Sequence, residues 1–283
     1  MSPKLGAHVS AAGGVSKAFP RAESIGCDTF QIFTRNQNRW VSKALDPAEI
    51  ERWHQAAADS GLMPVVAHAS YLINLGSPDD ELWEKSIEAF VDELRRAEAL
   101  GLLGVVLHPG AHMKEGEQAG IARVVAGLDR CHEETPGYKT LTLLEITAGQ
   151  GTTLGYRFEH LAAMRGQVAE PARVGVCFDT CHAFAAGYDF RSIEDYGAMM
   201  DEFDQVIGLE QIKCFHFNDS KREFASRRDR HEHIGQGFIG LSGFAHILND
   251  PRFSQVPMIL ETPKSKDMHE DVENLAQLRE LLT

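Results

Sequence analysis

Short apolar runs recur along the chain, and six of them end in an imidazole or a carboxylate. They are Pro64–His68, Gly104–His108, Leu141–Glu145, Val174–Asp179, Ile212–His216 and Pro257–Glu261, with successive ends 34 to 45 residues apart. Two earlier runs, Lys4–His8 and Thr29–Thr34, complete a set of eight. Runs of this length read as buried strands, and amphipathic patterns between them read as helices. Asp46, Pro47 and Glu49 predict an N-cap, a first-turn proline and a capping-box acid, with Gly61 ending that helix. Ser77-Pro78 opens the next one, Asp79, Asp80 and Glu81 suit its positive end, and Gly101 closes it. In the last helix Val272, Leu275, Leu278 and Leu281 recur every three residues and predict one face against the sheet. Strands alternating with helices imply parallel pairing and right-handed crossovers. Eight such units in about 250 residues predict an α/β fold, a (β/α)8 TIM barrel with its site at the C-terminal mouth of the strands. Residues 1–283 are read as one barrel domain.

A doubly wound open sheet is the competing fold. Gly235-Gln-Gly237-Phe-Ile-Gly240 fits the dinucleotide pattern G-x-G-x-x-G, but that fingerprint needs a preceding strand. Asp229-Arg-His-Glu-His-Ile is no strand, so the segment reads as a turn into a helix around Leu241–Leu248. Gly149-Gln-Gly151 reads as a tight loop.

At the mouth of a barrel the strand ends face one another. His68, His108, Glu145, Asp179, His216 and Glu261 therefore converge, and so many polar groups need a compensating charge. Mixed imidazole and carboxylate suits zinc, with manganese or iron as substitutes. His182 follows Asp179 by one helical turn, and Asp229 and His231 lie two apart in an extended loop, where both side chains point one way. Any one of these histidines alone reads as a surface or hydrogen-bonded residue, but five of the chain's 13 histidines fall in this set. Nine ligands exceed one four-coordinate metal and suit three, if a carboxylate bridges. Metals about 3.5–4 Å apart can clamp the attacking and leaving oxygens of a phosphoryl displacement. His8 reads as hydrogen-bonding support for the ligands.

Composition refines this picture. No apolar stretch approaches the roughly 18 residues of a membrane helix, and the first residues lack a signal-peptide pattern, which predicts a cytoplasmic enzyme. Cys27, Cys131, Cys177, Cys181 and Cys214 are an odd number without CxxC spacing, so they read as reduced core residues. A net charge of −13 argues against nucleic acid at face value. Bound divalent cations would offset part of it, and Lys221, Arg222, Arg227, Arg228 and Arg230 form a basic loop suited to phosphates.

The runs Gly6–Gly14, His68–Leu75, Glu145–Gly151, Asp179–Asp189, His216–Lys221 and Asp229–His231 closely resemble endonuclease IV, the zinc-dependent apurinic/apyrimidinic endonuclease family. The resemblance spans the chain from the first strand to Glu261-Thr262. It implies a trinuclear zinc barrel that cuts double-stranded DNA 5′ to an abasic site, leaves a 3′-hydroxyl and a 5′-deoxyribose phosphate, and trims blocked 3′ ends. By matching motifs, His68 and His108 would hold one zinc and share Glu145 with a second, which also takes Asp179, His216 and Glu261. His182, Asp229 and His231 would hold the third. Glu145 and Glu261 are the implied catalytic carboxylates, and no side-chain nucleophile is needed. Tyr71 and Leu72 match the loop that fills the helix where the abasic sugar leaves, an apolar wedge of the kind that kinks DNA. Arg35 or Arg39 would replace a displaced basic residue of the second wedge loop. With Lys221, Arg227, Arg228 and Arg230 they make up the expected DNA contacts. Ile146 stands where the family offers a polar residue. The implied protein is a monomer.

Two readings compete. A sugar isomerase or epimerase uses the same barrel and metal-binding carboxylates, but two metals or fewer. The trio His182, Asp229 and His231 argues against it. A non-catalytic damage-binding protein would have an incomplete ligand set, and none is missing here. The related ultraviolet-damage endonuclease shares the barrel but differs in motif.

Overall fold

The computed structural model describes residues 3–283; the start of the stretch read above for a signal peptide, Met1 and Ser2, lies outside them. Its strands are β1 (Lys4–His8), β2 (Thr29–Ile32), β3 (Val65–His68), β4 (Gly104–Leu107), β5 (Leu141–Glu145), β6 (Val174–Asp179), β7 (Ile212–Phe217), β8 (Asp219–Ser220), β9 (His231–Glu232) and β10 (Pro257–Leu260). All but β8 and β9 close into a barrel in which β1 pairs with both β2 and β10 and β7 pairs with β10. Every barrel pairing is parallel. The helices are α1 (Ala18–Ser24), α2 (Pro47–Ser60), α3 (Asp80–Leu100), α4 (Glu117–Glu133), α5 (Phe158–Gln167), α6 (Thr180–Ala186), α7 (Ile193–Val206), α8 (Gly240–Leu248) and α9 (His269–Glu280). The α/β TIM barrel read from the spacing is thus the observed fold.

Period-two alternation explains why the polar strand ends meet. Val66, Val106, Leu143, Cys177, Cys214 and Ile259 form one fully buried cluster, separate from the core between strands and helices. Each lies two residues before His68, His108, Glu145, Asp179, His216 or Glu261, so both members of each pair share the inner face. The apolar layer plugs the barrel, and the polar layer sits on top of it. All five cysteines are free and buried.

The helix ends differ in detail from the sequence reading. Asp46 does cap α2, accepting from Ala48 N at 2.9 Å, and Gly61 ends it in the left-handed region. Glu49 makes no capping box, however; its Oε1 accepts from the backbone and hydroxyl of Ser16, both at 2.8 Å. Asp79, not Ser77, caps α3 by accepting from Leu82 N at 2.8 Å. On α9 the apolar face narrows to Leu275 and Leu278, because Val272 is 46% exposed. The second strand stops at Ile32, and β4 and β10 stop one residue short of His108 and Glu261.

Candidate metal centre

The strand-end ligands lie close together, four of them buried and His108 and Glu261 half-buried. Glu145 Oε2 lies 2.9 Å from His108 Nε2 and 3.3 Å from His68 Nε2. Its other oxygen lies 3.0 Å from His216 Nδ1 and 3.3 Å from His182 Nδ1. Glu261 Oε2 is 3.1 Å from His216 Nδ1. At the third corner, Asp229 Oδ2 lies 3.2 Å from His182 Nε2, and Oδ1 lies 3.3 Å from His231 Nε2. Among the groups whose ligand atoms all lie within 4.8 Å of one another are His68, His108 and Glu145; Glu145, Asp179, His216 and Glu261; and His182, Asp229 and His231. All nine candidate ligands lie together at one mouth.

The surroundings aim these atoms inward. His68 Nδ1 donates to Ala69 O at 2.7 Å, His182 Nδ1 to Ile146 O at 2.9 Å, and His231 Nδ1 to Glu261 O at 3.2 Å. In each case the backbone occupies one ring nitrogen and leaves Nε2 for the centre, as metal-binding histidines require. Ile146 therefore serves through its carbonyl while its side chain is buried. His216 Nε2 lies 2.8 Å from Gln31 Oε1, and the amide of Gln31 donates to Glu261 Oε1 at 2.7 Å. His8 Nδ1 is 2.9 Å from the same amide and 3.5 Å from Glu261. Asn218 donates to Asp179 Oδ2 at 2.7 Å and accepts from the backbone of Glu261 at 2.8 Å. Sequence reasoning missed Gln31 and Asn218 as site residues. Gln31 had a signal: it is an inward polar residue, two after Thr29, in a strand otherwise suited to the core.

Electrostatics show what the cluster lacks. Burial works against a charged Glu145, yet His108 and His216 hold its carboxyl well below the usual carboxylate range. Burial likewise disfavours a charged His216, but Glu261 and Glu145 push its imidazole up to about 10. Burial raises Asp179 despite His182 and His231. The neighbouring carboxylates thus favour positive charge on His182 and His216. Glu145 Oε2, His182 Nε2 and His231 Nε2 are buried without a well-aligned hydrogen bond. Each lies within 3.3 Å of another ligand atom yet makes no hydrogen bond to it. Such orphaned atoms, on imidazoles and carboxylates, fit divalent metal.

The expected DNA contacts fare unequally. Tyr71 is 59% exposed and stands over the centre, its ring 5.1 Å from His68 and 5.8 Å from His108. It lines two cavities, one of about 750 Å³ reaching Ser10, Gln37 and Glu261, the other of about 370 Å³ reaching His108, His182 and Asp229. Leu72 is half-buried, whereas Arg39, Lys221, Arg227, Arg228 and Arg230 are at least partly exposed. Arg227 stacks over Tyr156 at 4.6 Å, Lys221 Nζ is 3.7 Å from Glu232, and Arg230 folds onto the Asp229 carbonyl. Arg35 corrects the sequence reading. It is 8% exposed, pairs with Asp92 at 3.0 Å, and donates to the carbonyls of Arg39 and Trp40 at 2.6 and 2.5 Å. It braces the loop from within and is not free to enter DNA, so of the two arginines Arg39 is the one that faces solvent.

Barrel and rim together define a class. Residues 19–282 match the family model described as xylose isomerase-like TIM barrel. Probable endonuclease 4 of Chloroflexus aurantiacus is 52% identical over 280 residues, covering 99% of this chain and 98% of that protein. The same-named protein of Trichlorobacter lovleyi is 49% identical over 281 residues, covering 99% and 100%. Among solved structures, endonuclease IV from Thermus thermophilus superposes with a TM-score of 0.88 at 40% identity, covering 99% and 98%. The chain belongs to the endonuclease IV family and is a nuclease. A D-tagatose 3-epimerase-like protein shares the barrel with a TM-score of 0.75, but at 18% identity that likeness shows the fold alone.

Proposed function

We propose that this nuclease, working as one barrel domain, cuts duplex DNA 5′ to abasic sites, leaving a 3′-hydroxyl and a 5′-deoxyribose phosphate, and clears blocked 3′ ends. The observation that carries this reading is the convergence of three adjoining ligand groups on one rim, with Glu145 common to two of them. Three zinc ions, replaceable by manganese, match that arrangement. His68 and His108 would hold the first, Asp179, His216 and Glu261 the second, and His182, Asp229 and His231 the third. Divalent ions held by these residues would supply an activated water and offset the charge that grows on a phosphodiester in its transition state.

The chain's own residues do the positioning. Glu145 presents one oxygen to each neighbouring group, so it keeps two ligand sets in register and would orient a metal-activated water there. Gln31 fixes Glu261 and His216 through one amide, and Asn218 ties Asp179 to the backbone of Glu261. A rim preorganised in this way needs little rearrangement during reaction. Tyr71, beside the centre, would with Leu72 and Arg39 fill a DNA helix emptied of its abasic sugar, and Lys221, Arg227, Arg228 and Arg230 would offer phosphate contacts. Among the described residues no helix is long and apolar enough to cross a membrane. We read the protein as a cytoplasmic monomer.

The test is a duplex carrying one tetrahydrofuran abasic analogue, incubated with zinc-loaded protein and no added magnesium. A single incision 5′ to the analogue is expected. An intact duplex would overturn the assignment, and turnover of a ketohexose instead would favour the epimerase reading.

A further inference from the structure

The glycine motif that fits a dinucleotide fingerprint does cradle an anion, but the anion belongs to the protein. Asp219 is fully buried on β8. Its Oδ2 accepts from Gly235 N at 3.0 Å, Gly237 N at 3.1 Å and Gly240 N at 3.3 Å, and its Oδ1 from Ile239 N at 2.9 Å and Ser220 N at 2.7 Å. A Cβ on Gly237 would clash with both Ser220 O and Asp219 Oδ1, and Gly235 and Gly240 take positive φ of 76° and 72°. The glycines therefore allow the backbone to close round a carboxylate, as such loops do round phosphate.

This anchor sits at the root of the loop that carries two ligands. β8 pairs antiparallel with β9, placing Asp219 opposite Glu232 and Ser220 opposite His231. The hairpin continues as Lys221 N donates to Arg230 O at 2.9 Å, and Phe238 N donates to Ser220 O at 2.9 Å. Asp229 and His231 thus leave a ribbon whose two sides are clamped by one carboxylate. Neither residue has a barrel strand of its own to hold it.

We infer that Asp219 is a positioning residue for the Asp229–His231 half of the third metal group, acting through the Gly235–Gly240 loop. The inference rests on the trinuclear reading above. Asn in place of Asp219 has one acceptor oxygen, and its NH2 would face N–H donors, so no rotamer of it satisfies the five amides. Residues that orient metal ligands typically matter by about 10–100-fold in metal affinity.

The experiment compares wild type, D219N and G237A, each zinc-loaded and then dialysed against chelators of increasing strength, with zinc per chain measured by elemental analysis. Hydrogen exchange of metal-free protein at residues 229–240 is the second arm. In D219N one zinc should leave at about 10–100-fold lower chelator strength while two stay at wild-type strength, and residues 229–240 should exchange faster than the same residues of wild type, with the barrel strands unchanged. G237A disturbs the same contact from the other side and should reproduce both effects if D219N fails to fold. Parallel loss of all the zinc, retention of three at wild-type strength, or unchanged exchange at residues 229–240 would each overturn the inference. Wild type holding fewer than three zinc ions would overturn the trinuclear reading instead, and the exchange arm would still decide the role of Asp219.

Discussion

Two clusters of charge lie in this barrel, and only one of them draws its cations from arginine side chains of the chain itself. The first, under the loop at residues 35–40, joins Arg35 and Arg96 to Asp92 and Glu93. Arg35 lies 3.0 Å from Asp92 and 3.7 Å from Glu93, Arg96 is 2.8 Å from Asp92, and Thr34 donates to Glu93 at 2.6 Å. The second is the mouth, with four carboxylates and five imidazoles and no lysine or arginine among the ligand groups. Arginine's fixed charge lets the first cluster serve as internal bracing. The mouth can be neutral only by taking up protons or metal cations. Buried charge with its counterion in the chain holds structure, and buried charge without one is available for chemistry.

Substitutions at the mouth should have the largest effect. His216→Ala should lower kcat by about 10²–10³-fold while leaving DNA affinity within a few-fold, since it removes charge stabilisation felt in the transition state. Steady-state kinetics beside a binding titration would show this, and an equal loss in both would erase the distinction between the clusters. Arg35→Met should do the reverse. It strands Glu93, whose side chain is 1% exposed, and breaking a buried pair costs about 3–5 kcal/mol. Denaturant unfolding should register that loss with zinc content unchanged; a cost below about 1 kcal/mol would mean Arg35 is not a brace.

The pH dependence of stability sharpens the contrast further. Burial pushes the Glu93 carboxyl up to about 7, even with Thr34 and Arg35 favouring its charge. Between the ordinary carboxylate value of about 4.3 and that point, the folded state holds a proton that the unfolded chain has lost. Stability from this group is therefore full below the window, declines as pH rises through it, and is level above. Glu93→Gln should flatten that slope in unfolding titrations, and an unchanged slope would assign it elsewhere. The smallest effect is expected at the surface. Arg228→Ala should weaken DNA binding at low salt and reduce the log–log salt slope by about one, with zinc content unaffected. A slope equal to wild type would remove Arg228 from the phosphate contacts.

Much of the site is legible in the sequence because strands repeat every two residues. A ligand two places after Val66, Val106, Leu143, Cys177, Cys214 or Ile259 shares a face with its apolar predecessor whatever the rest of the chain does, so the six strand ends can be named without coordinates. His182 is legible as one helical turn after Asp179. Arg35 is not, because its neighbours in sequence are polar while its neighbours in space are Asp92 and Glu93, more than fifty residues away. Asn218 and Asp219 are also hidden, since each acts through hydrogen bonds to residues on other elements, whereas Gln31 shows in the sequence only as a polar residue in a core strand.

Periodicity and residue type were enough to determine a parallel barrel with a metal-ready rim, since both are properties of neighbours along the chain. Which buried charges cancel, which ring nitrogen faces inward, and what holds the Asp229–His231 loop were decided only when distant segments packed together. Hydrogen bonds and ion pairs act over a few ångströms, and the linear order of residues does not record which groups will come that close.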